Sequence, residues 1–402
     1  MSHKKNEFDV SIKLTKKAFF ISGVEIGKSK YSNMVIFKWL YHFNFIWLHT
    51  DVFGEFSWLS QGIAMGKSLD ELSLVAPCTT ICILGTAKMM NMYFYRDVLE
   101  SAVSKLRSLH PSNLKEGSFE SQVVEKSKRF LRLIILFLIS CSTVLVIIFS
   151  AMPLILMGYD YYNLGYTELK LAFLTNYFFD SFANVQIWSF VYFHQVWSTG
   201  IVAVNIFATD TLFYAFCTYL NMHFQILCHD FENIVCDSDD ETREKLRKCV
   251  RRHQELIALV DQMEMLYSKS NLVNILSSSL LICLSGFNIT LLGNSDAAFA
   301  FIPFLVVSLT QISLMCFFGD MLMASSTKIS GAIYNCRWYD TSPDIKKSVL
   351  LILIRSRKPC KITAANFAVM NLTTLTTFLY IHYFTTIAVL YLLTITYKST
   401  QI

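Results

Sequence analysis

The chain has 402 residues, of which 53% are hydrophobic and only 16% charged, with a net charge of +5 and a mean hydropathy of +0.43. A water-soluble protein carries roughly 25% charged residues, so this composition excludes a set of soluble domains and selects a membrane bundle. The modest positive charge argues against nucleic acid as a partner. It suits contact with membrane lipids, in particular anionic headgroups of the inner leaflet.

The N-terminal segment 1–33 contains seven lysines and no apolar run of signal-peptide length, so the first span is expected to act as its own insertion signal. A span needs about 20 mostly apolar residues. Seven stretches qualify: 34–54, 71–94, 131–157, 187–216, 271–292, 297–322 and 370–396. Lys38, His42 and His49 interrupt the first, and the second carries Pro77 and Lys88. Lys88 lies near the inner end of its span and is expected to snorkel.

The fourth apolar stretch continues helically to about residue 220, some 51 Å at 1.5 Å per residue, which outruns a ~30 Å hydrocarbon core. Ahead of the fifth span, Leu246, Val250, Ile257, Val260, Met263 and Tyr267 recur at spacings of three, four and seven. That pattern predicts an amphipathic helix running straight into the membrane. Beyond the sixth span the pattern continues through Ile329, Ile333 and Trp338 up to Pro343. Helices four to six are therefore expected to extend together below the membrane, buried in an intracellular bundle or against a neighbouring subunit.

Ser342-Pro343-Asp344 reads as an N-cap, a proline in the first turn and an acid at the helix dipole. The helix that follows, 345–358, is too short to cross the bilayer. It is either a buried interfacial element or a helix lying on the inner leaflet. The seventh span is threonine-rich, with Thr at 373, 374, 376, 377, 385, 386, 394 and 396. Such a helix makes a tight packing face, or it lines a narrow aqueous path closed by dewetting at Ile387, Tyr391 or Ile395.

Basic residues set the orientation. Segments 1–33, 95–130, 217–270 and 323–369 hold seven, seven, seven and eight Lys/Arg, 29 in all, whereas the alternate segments hold only Lys67, Lys170 and Lys398. Positive loops stay cytosolic. The expectation is a cytosolic N-terminus and an extracellular C-terminus. The segments are a cytosolic tail (1–33), six spans (34–322), a cytosolic anchor segment (323–369) and helix seven with a short tail (370–402). None of the eleven cysteines falls in a predicted outer segment, so no extracellular disulfide is expected. Cys228, His229 and Cys236 lack a regular ligand spacing and read as reduced thiols rather than a metal site.

No GxGxxG, Walker, HExxH or GxSxG motif is present, and no enzyme or cofactor is expected. Asp180, Asp210, Lys88 and His194 lie near or within spans, where ionisable groups are rare and functional by default. For Asp210 the bland alternative is a solvated or paired residue. The outer halves of spans three to six supply Phe149, Met152, Trp188, Tyr192, Gln195, Phe287, Phe301 and Phe304. Aromatic and apolar walls with a few polar groups suit a small, mostly apolar ligand.

FFGDMLMASSTKISGAIYNCRWYD (317–340) and RSRKPCKITAANFAVMNLTTLTTF (355–378) resemble, in order and spacing, the C-terminal stretches of insect odorant receptors. Arg357 stands where that family usually carries Gln. The resemblance implies an odorant-gated, non-selective cation channel working as a heterotetramer with the conserved co-receptor. It implies a volatile ligand in the outer halves of spans two to six, an anchor built from the inner parts of helices four to six with helix 345–358, and a pore lined by helix seven. The gustatory receptors share the topology but carry a different signature in the last span. A G-protein-coupled receptor would place its N-terminus outside, against the charge split. A secondary transporter would show a repeat and broken midplane helices, and none is visible.

Overall fold

A computed structural model describes residues 7–27, 35–67, 69–111, 115–292 and 301–382. The fold is all-α with one short hairpin. Its helices are α1 (Glu7–Ser11), α2 (Lys13–Ile21), α3 (Val35–Ala64), α4 (Leu69–Ser73), α5 (Ala76–Phe94), α6 (Arg96–Leu109), α7 (Phe119–Leu164), α8 (Val185–Glu232), α9 (Asp239–Leu292), α10 (Ile302–Asn335) and α11 (Pro343–Ser356). A two-stranded hairpin, β1 (Thr363–Ala364) and β2 (Ala368–Val369), follows. A final helix, α12, starts at residue 372 and is described to 382.

Among the described residues, five helices are long and apolar enough to cross a membrane: 71–94, α7, α8, 239–290 and α10. These are the second to sixth predicted spans. The first corresponds to α3, which runs ten residues beyond the expected end. Most of the seventh, with Ile387, Tyr391 and Ile395, lies outside the described residues.

The centre of the molecule is α8. Between Phe207 and Leu220 every residue is buried, because α5, α7, α9 and α10 surround it. This helix has 48 residues, roughly 72 Å of rise, so the predicted overhang is present and longer than expected. Asn184 caps its start, its Oδ1 accepting from the Ile187 amide at 2.8 Å. Helix α9 runs unbroken for 54 residues. Its buried stripe passes through Leu246, Cys249, Leu256, Met263 and Tyr267, so Cys249 and Leu256 take the inward places that the sequence assigned to Val250 and Ile257. The two patterns differ by about one helical position, which a window of branched apolar residues on both flanks does not resolve.

Three expectations are corrected. Pro77 lies in the first turn of α5, where its missing N–H is harmless. The second apolar stretch is therefore a short helix, a turn and a longer helix. Helix α10 ends at Asn335 rather than continuing through Trp338. Cys336 turns extended at ψ 155°, and Trp338–Asp340 form a 3-10 turn. Ser342 holds the N-cap position with Pro343 in the first turn and Asp344 beside it, but its hydroxyl makes no capping bond. On α11, Ile345, Val349 and Ile352 are buried while Leu350, Leu351 and Ile354 are exposed. The helix thus packs one apolar face inward and presents a second one outward.

Residues 7–27 of the N-terminal segment pack against the bundle. Phe8, Ile12, Thr15 and Phe19 are all fully buried at spacings of four, three and four, the stripe of a docked helix. The Phe8 ring meets Tyr219 of α8 edge-on with centroids 4.9 Å apart. The Thr15 hydroxyl donates to that of Thr211 at 3.0 Å.

Candidate functional site

Five of the eight predicted pocket residues gather where α7, α8 and α10 meet the segment 166–184. Trp188 and Tyr192, one turn apart on α8, stack with centroids 5.3 Å apart. The Trp188 indole N–H donates to the Lys170 carbonyl at 3.0 Å, and the Tyr192 hydroxyl donates to the Ser150 carbonyl on α7. Next to Ser150, Phe149 lies 5.3 Å from the Phe173 ring and meets Phe304 of α10 edge-on at 6.0 Å. Aromatic side chains from three spans and the connecting segment thus share one neighbourhood.

Gln195 belongs to the same region but not to its free surface. Fully buried, its Oε1 accepts from the amides of Ala172 and Phe173 at 3.0 and 3.1 Å, and its Nε2 donates to the Phe173 carbonyl and the Thr175 hydroxyl. All of its hydrogen-bonding capacity in this region is spent on pinning the 172–175 segment to α8. Gln195→Leu is expected to strand two amide donors at a cost of about 1–3 kcal/mol. Hydrogen exchange over 170–176 should then accelerate while the α8 core stays protected.

Three predicted residues stand apart. Met152 is 43% exposed on α7. Phe287 is half-buried on α9 and Phe301 is buried at the start of α10. Among the described residues, no ring contact joins either phenylalanine to the cluster.

The ionisable residues Lys88, Asp210 and His194 are paired through the bundle. Lys88 of α5 forms an ion pair with Asp210 Oδ1 on α8, and Gln311 of α10 donates to Asp210 Oδ2 at 2.6 Å. Lys88 is 1% exposed, so it does not snorkel: a carboxylate on the neighbouring helix meets it inside the protein. Toward the Val185 end of α8, Asp51 of α3 accepts from the Tyr177 hydroxyl at 2.5 Å and lies 3.0 Å from His194 Nδ1. Thr50 lies 2.8 Å from the other ring nitrogen. Asp180 has a local role, its Oδ1 accepting from the Phe182 amide.

A small cavity opens between α3, α5 and α8, lined in part by Asn44, Thr86 and Asn205. Each is more than nine-tenths buried, and a side-chain oxygen of each has no protein hydrogen-bond partner. Groups of this kind are normally satisfied by ordered water. Sequence reasoning missed this cavity, because two asparagines and a threonine on three separate helices carry no pattern until the helices pack.

Comparison with known proteins adds the ancestry of this arrangement. The sequence profile of the family described as 7tm Odorant receptor matches residues 68–383. Odorant receptor 67c of Drosophila melanogaster is 27% identical over 344 residues, covering 85% of this chain and 84% of the relative. Putative odorant receptor 92a of the same fly is 28% identical over 360 residues, covering 87% and 88%. The structure of the insect olfactory receptor OR5 from Machilis hrabei superimposes with a TM-score of 0.83 at 14% identity, over 96% of this chain and 98% of that one. The same receptor in complex with eugenol gives 0.80 at 15% identity.

Proposed function

The chain belongs to the odorant receptor family, and we propose that it is the odorant-binding subunit of a ligand-gated, non-selective cation channel assembled with the odorant co-receptor. It is an all-α, multi-pass membrane protein. Its place is the plasma membrane, in sensory dendrites, with the N-terminus in the cytosol, as the 29-to-3 division of basic residues favours.

The observation that carries the reading is the aromatic cluster of Phe149, Trp188, Tyr192 and Phe304, set in a chain whose family match runs through it. An apolar volatile gains affinity there by burying its surface against these rings. It shifts the gate by binding the open arrangement more tightly than the closed one. The structure of the Machilis OR5 receptor with eugenol is a precedent for a small aromatic ligand within this fold. Met152, Phe287 and Phe301 stand outside this cluster, and Gln195 serves it indirectly by holding the 172–175 segment in place. The exposed Leu350, Leu351 and Ile354 of α11 suit an anchor between subunits. Helix seven would line the pore, with Ile387, Tyr391 and Ile395 as its gate.

Phe149→Ala and Phe304→Ala test the pocket. Each is expected to raise the half-maximal concentration of an activating volatile roughly tenfold or more, because a buried aromatic contact contributes about 1.5–3 kcal/mol. Surface expression should not change. Unaltered dose–response curves for both variants, across all activating volatiles, would move the ligand elsewhere in the bundle.

A further inference from the structure

Between α11 and α12 the chain passes through the β1–β2 hairpin, which packs on α9 where that helix approaches the membrane. The turn is tight: three residues separate the paired Ala364 and Ala368, Ala365 and Asn366 both lie in the left-handed region at φ 48° and 61°, and the Phe367 amide donates to the Ala364 carbonyl at 2.9 Å. Hydrogen bonds from one side of α9 secure β1. Glu264 accepts from the Thr363 amide at 2.7 Å with one carboxylate oxygen and from the Thr363 hydroxyl with the other. One turn on, Ser268 accepts from the Ala365 amide through both its carbonyl and its hydroxyl, each at 3.0 Å. Asn271 donates to the Thr363 carbonyl at 3.2 Å.

The arrangement is directional. A carboxylate taking two donors from one residue is a charge-assisted, bidentate grip, stronger than an ordinary neutral hydrogen bond. The hairpin is closed by the Met370 amide donating to the Ile362 carbonyl at 2.9 Å, and α12 begins two residues later. Asn371 caps that helix through the Thr374 amide at 2.8 Å. From Glu264 to the first turn of α12 there is thus no slack segment. The same α9 continues without interruption to Leu292, into the half of the bundle that holds the proposed pocket.

We infer that Glu264 is a positioning residue for α12: through the amide and hydroxyl of Thr363 it fixes the hairpin to α9, so that a shift of α9 moves the start of the helix assigned to the pore. This rests on the channel reading for its consequence, though not for the grip itself. A residue acting through α12 in this way alters the balance between closed and open states and leaves the ligand pocket untouched.

The test uses the full-length receptor co-expressed with the odorant co-receptor and two readouts. The first is hydrogen exchange over residues 362–370 in the purified assembly, where Glu264→Ala should accelerate exchange relative to wild type. The second is ligand-free current per surface-labelled receptor, measured above that of the co-receptor alone. Glu264→Ala should change it by roughly tenfold, within the usual range for coupling between sites; Thr363→Val, which keeps the amide bond to Glu264, should change it in the same direction by less, and the double variant should match Glu264→Ala alone. Thr363→Ser keeps the hydroxyl and should behave as wild type. Unchanged exchange in Glu264→Ala, or a double variant whose effect is the product of the two single ones, overturns the inference. Should no sample carry current beyond the co-receptor alone, the channel reading fails, and exchange by itself decides whether Glu264 holds the hairpin.

Discussion

Asp210→Ala is expected to deprive the membrane of most of its folded receptor. The substitution leaves the Lys88 ammonium, 1% exposed among α5, α8 and α10, without its counter-ion. It also removes the acceptor of the Gln311 amide. Breaking a buried ion pair by deleting one partner costs about 3–5 kcal/mol, a large part of the 5–15 kcal/mol that typically separates folded from unfolded protein. The pair itself is not the source of that much stability, because both charges were desolvated to make it. Lys88→Met combined with Asp210→Leu should therefore recover much of the loss, leaving one unpaired Gln311 amide. Thermal midpoints of the purified protein, with surface labelling of cells, distinguish the two variants. Equal damage from the single and double substitutions would show that the region fails for reasons of packing rather than charge.

Gly319→Ala is expected to disrupt the junction between α10 and α12. A Cβ at this position would lie 2.2 Å from the Met370 carbonyl oxygen and 3.0 Å from the Met370 side chain. The first obstacle is backbone, belonging to the residue that closes the hairpin, so a rotamer change gives no relief. Overpacking of this kind costs typically 1–3 kcal/mol, and occasionally more. Here the strain is relieved only by moving α10 or the start of α12. We expect the thermal midpoint to drop and, in the channel reading, ligand-free current to depart severalfold from wild type. Gly331→Ala, on the same helix with open space at its Cβ, is the control and should be neutral in both measurements. If Gly319→Ala is as well tolerated as Gly331→Ala, Met370 at the end of the hairpin is not seated against α10.

The second to sixth spans, the length of α8 and the unbroken α9 were legible because each depends on one helix's own period and length. What depended on two helices meeting was not. Lys88 reads as a snorkelling lysine until Asp210, 122 positions away, is placed beside it. Gln195 reads as a polar group for a ligand until the 166–184 segment folds over α8 and takes up its amide. The network of Asp51, His194 and Tyr177 joins three segments that no sequence window connects. The N-terminal helices are a different case. Phe8, Ile12, Thr15 and Phe19 carried a helical stripe in plain view, but the lysines between them dominate the composition. Lys16 pairs with Asp9 at 2.6 Å, so one of those charges serves the folded segment rather than a solvated tail. The resemblance to odorant receptors was legible from residues 317–378, the region that holds the α10–α12 junction and the hairpin turn.

Two-electrode recording in oocytes decides whether this chain supplies ligand recognition to a cation channel, as proposed. Three samples are compared against a panel of volatiles: the chain alone, the co-receptor alone, and the two together. Ligand-evoked cation current is expected only in the paired sample, unaffected by block of G-protein signalling. Silence of the paired sample across a broad panel, with both chains confirmed at the cell surface, or currents abolished by G-protein block, would contradict the proposal.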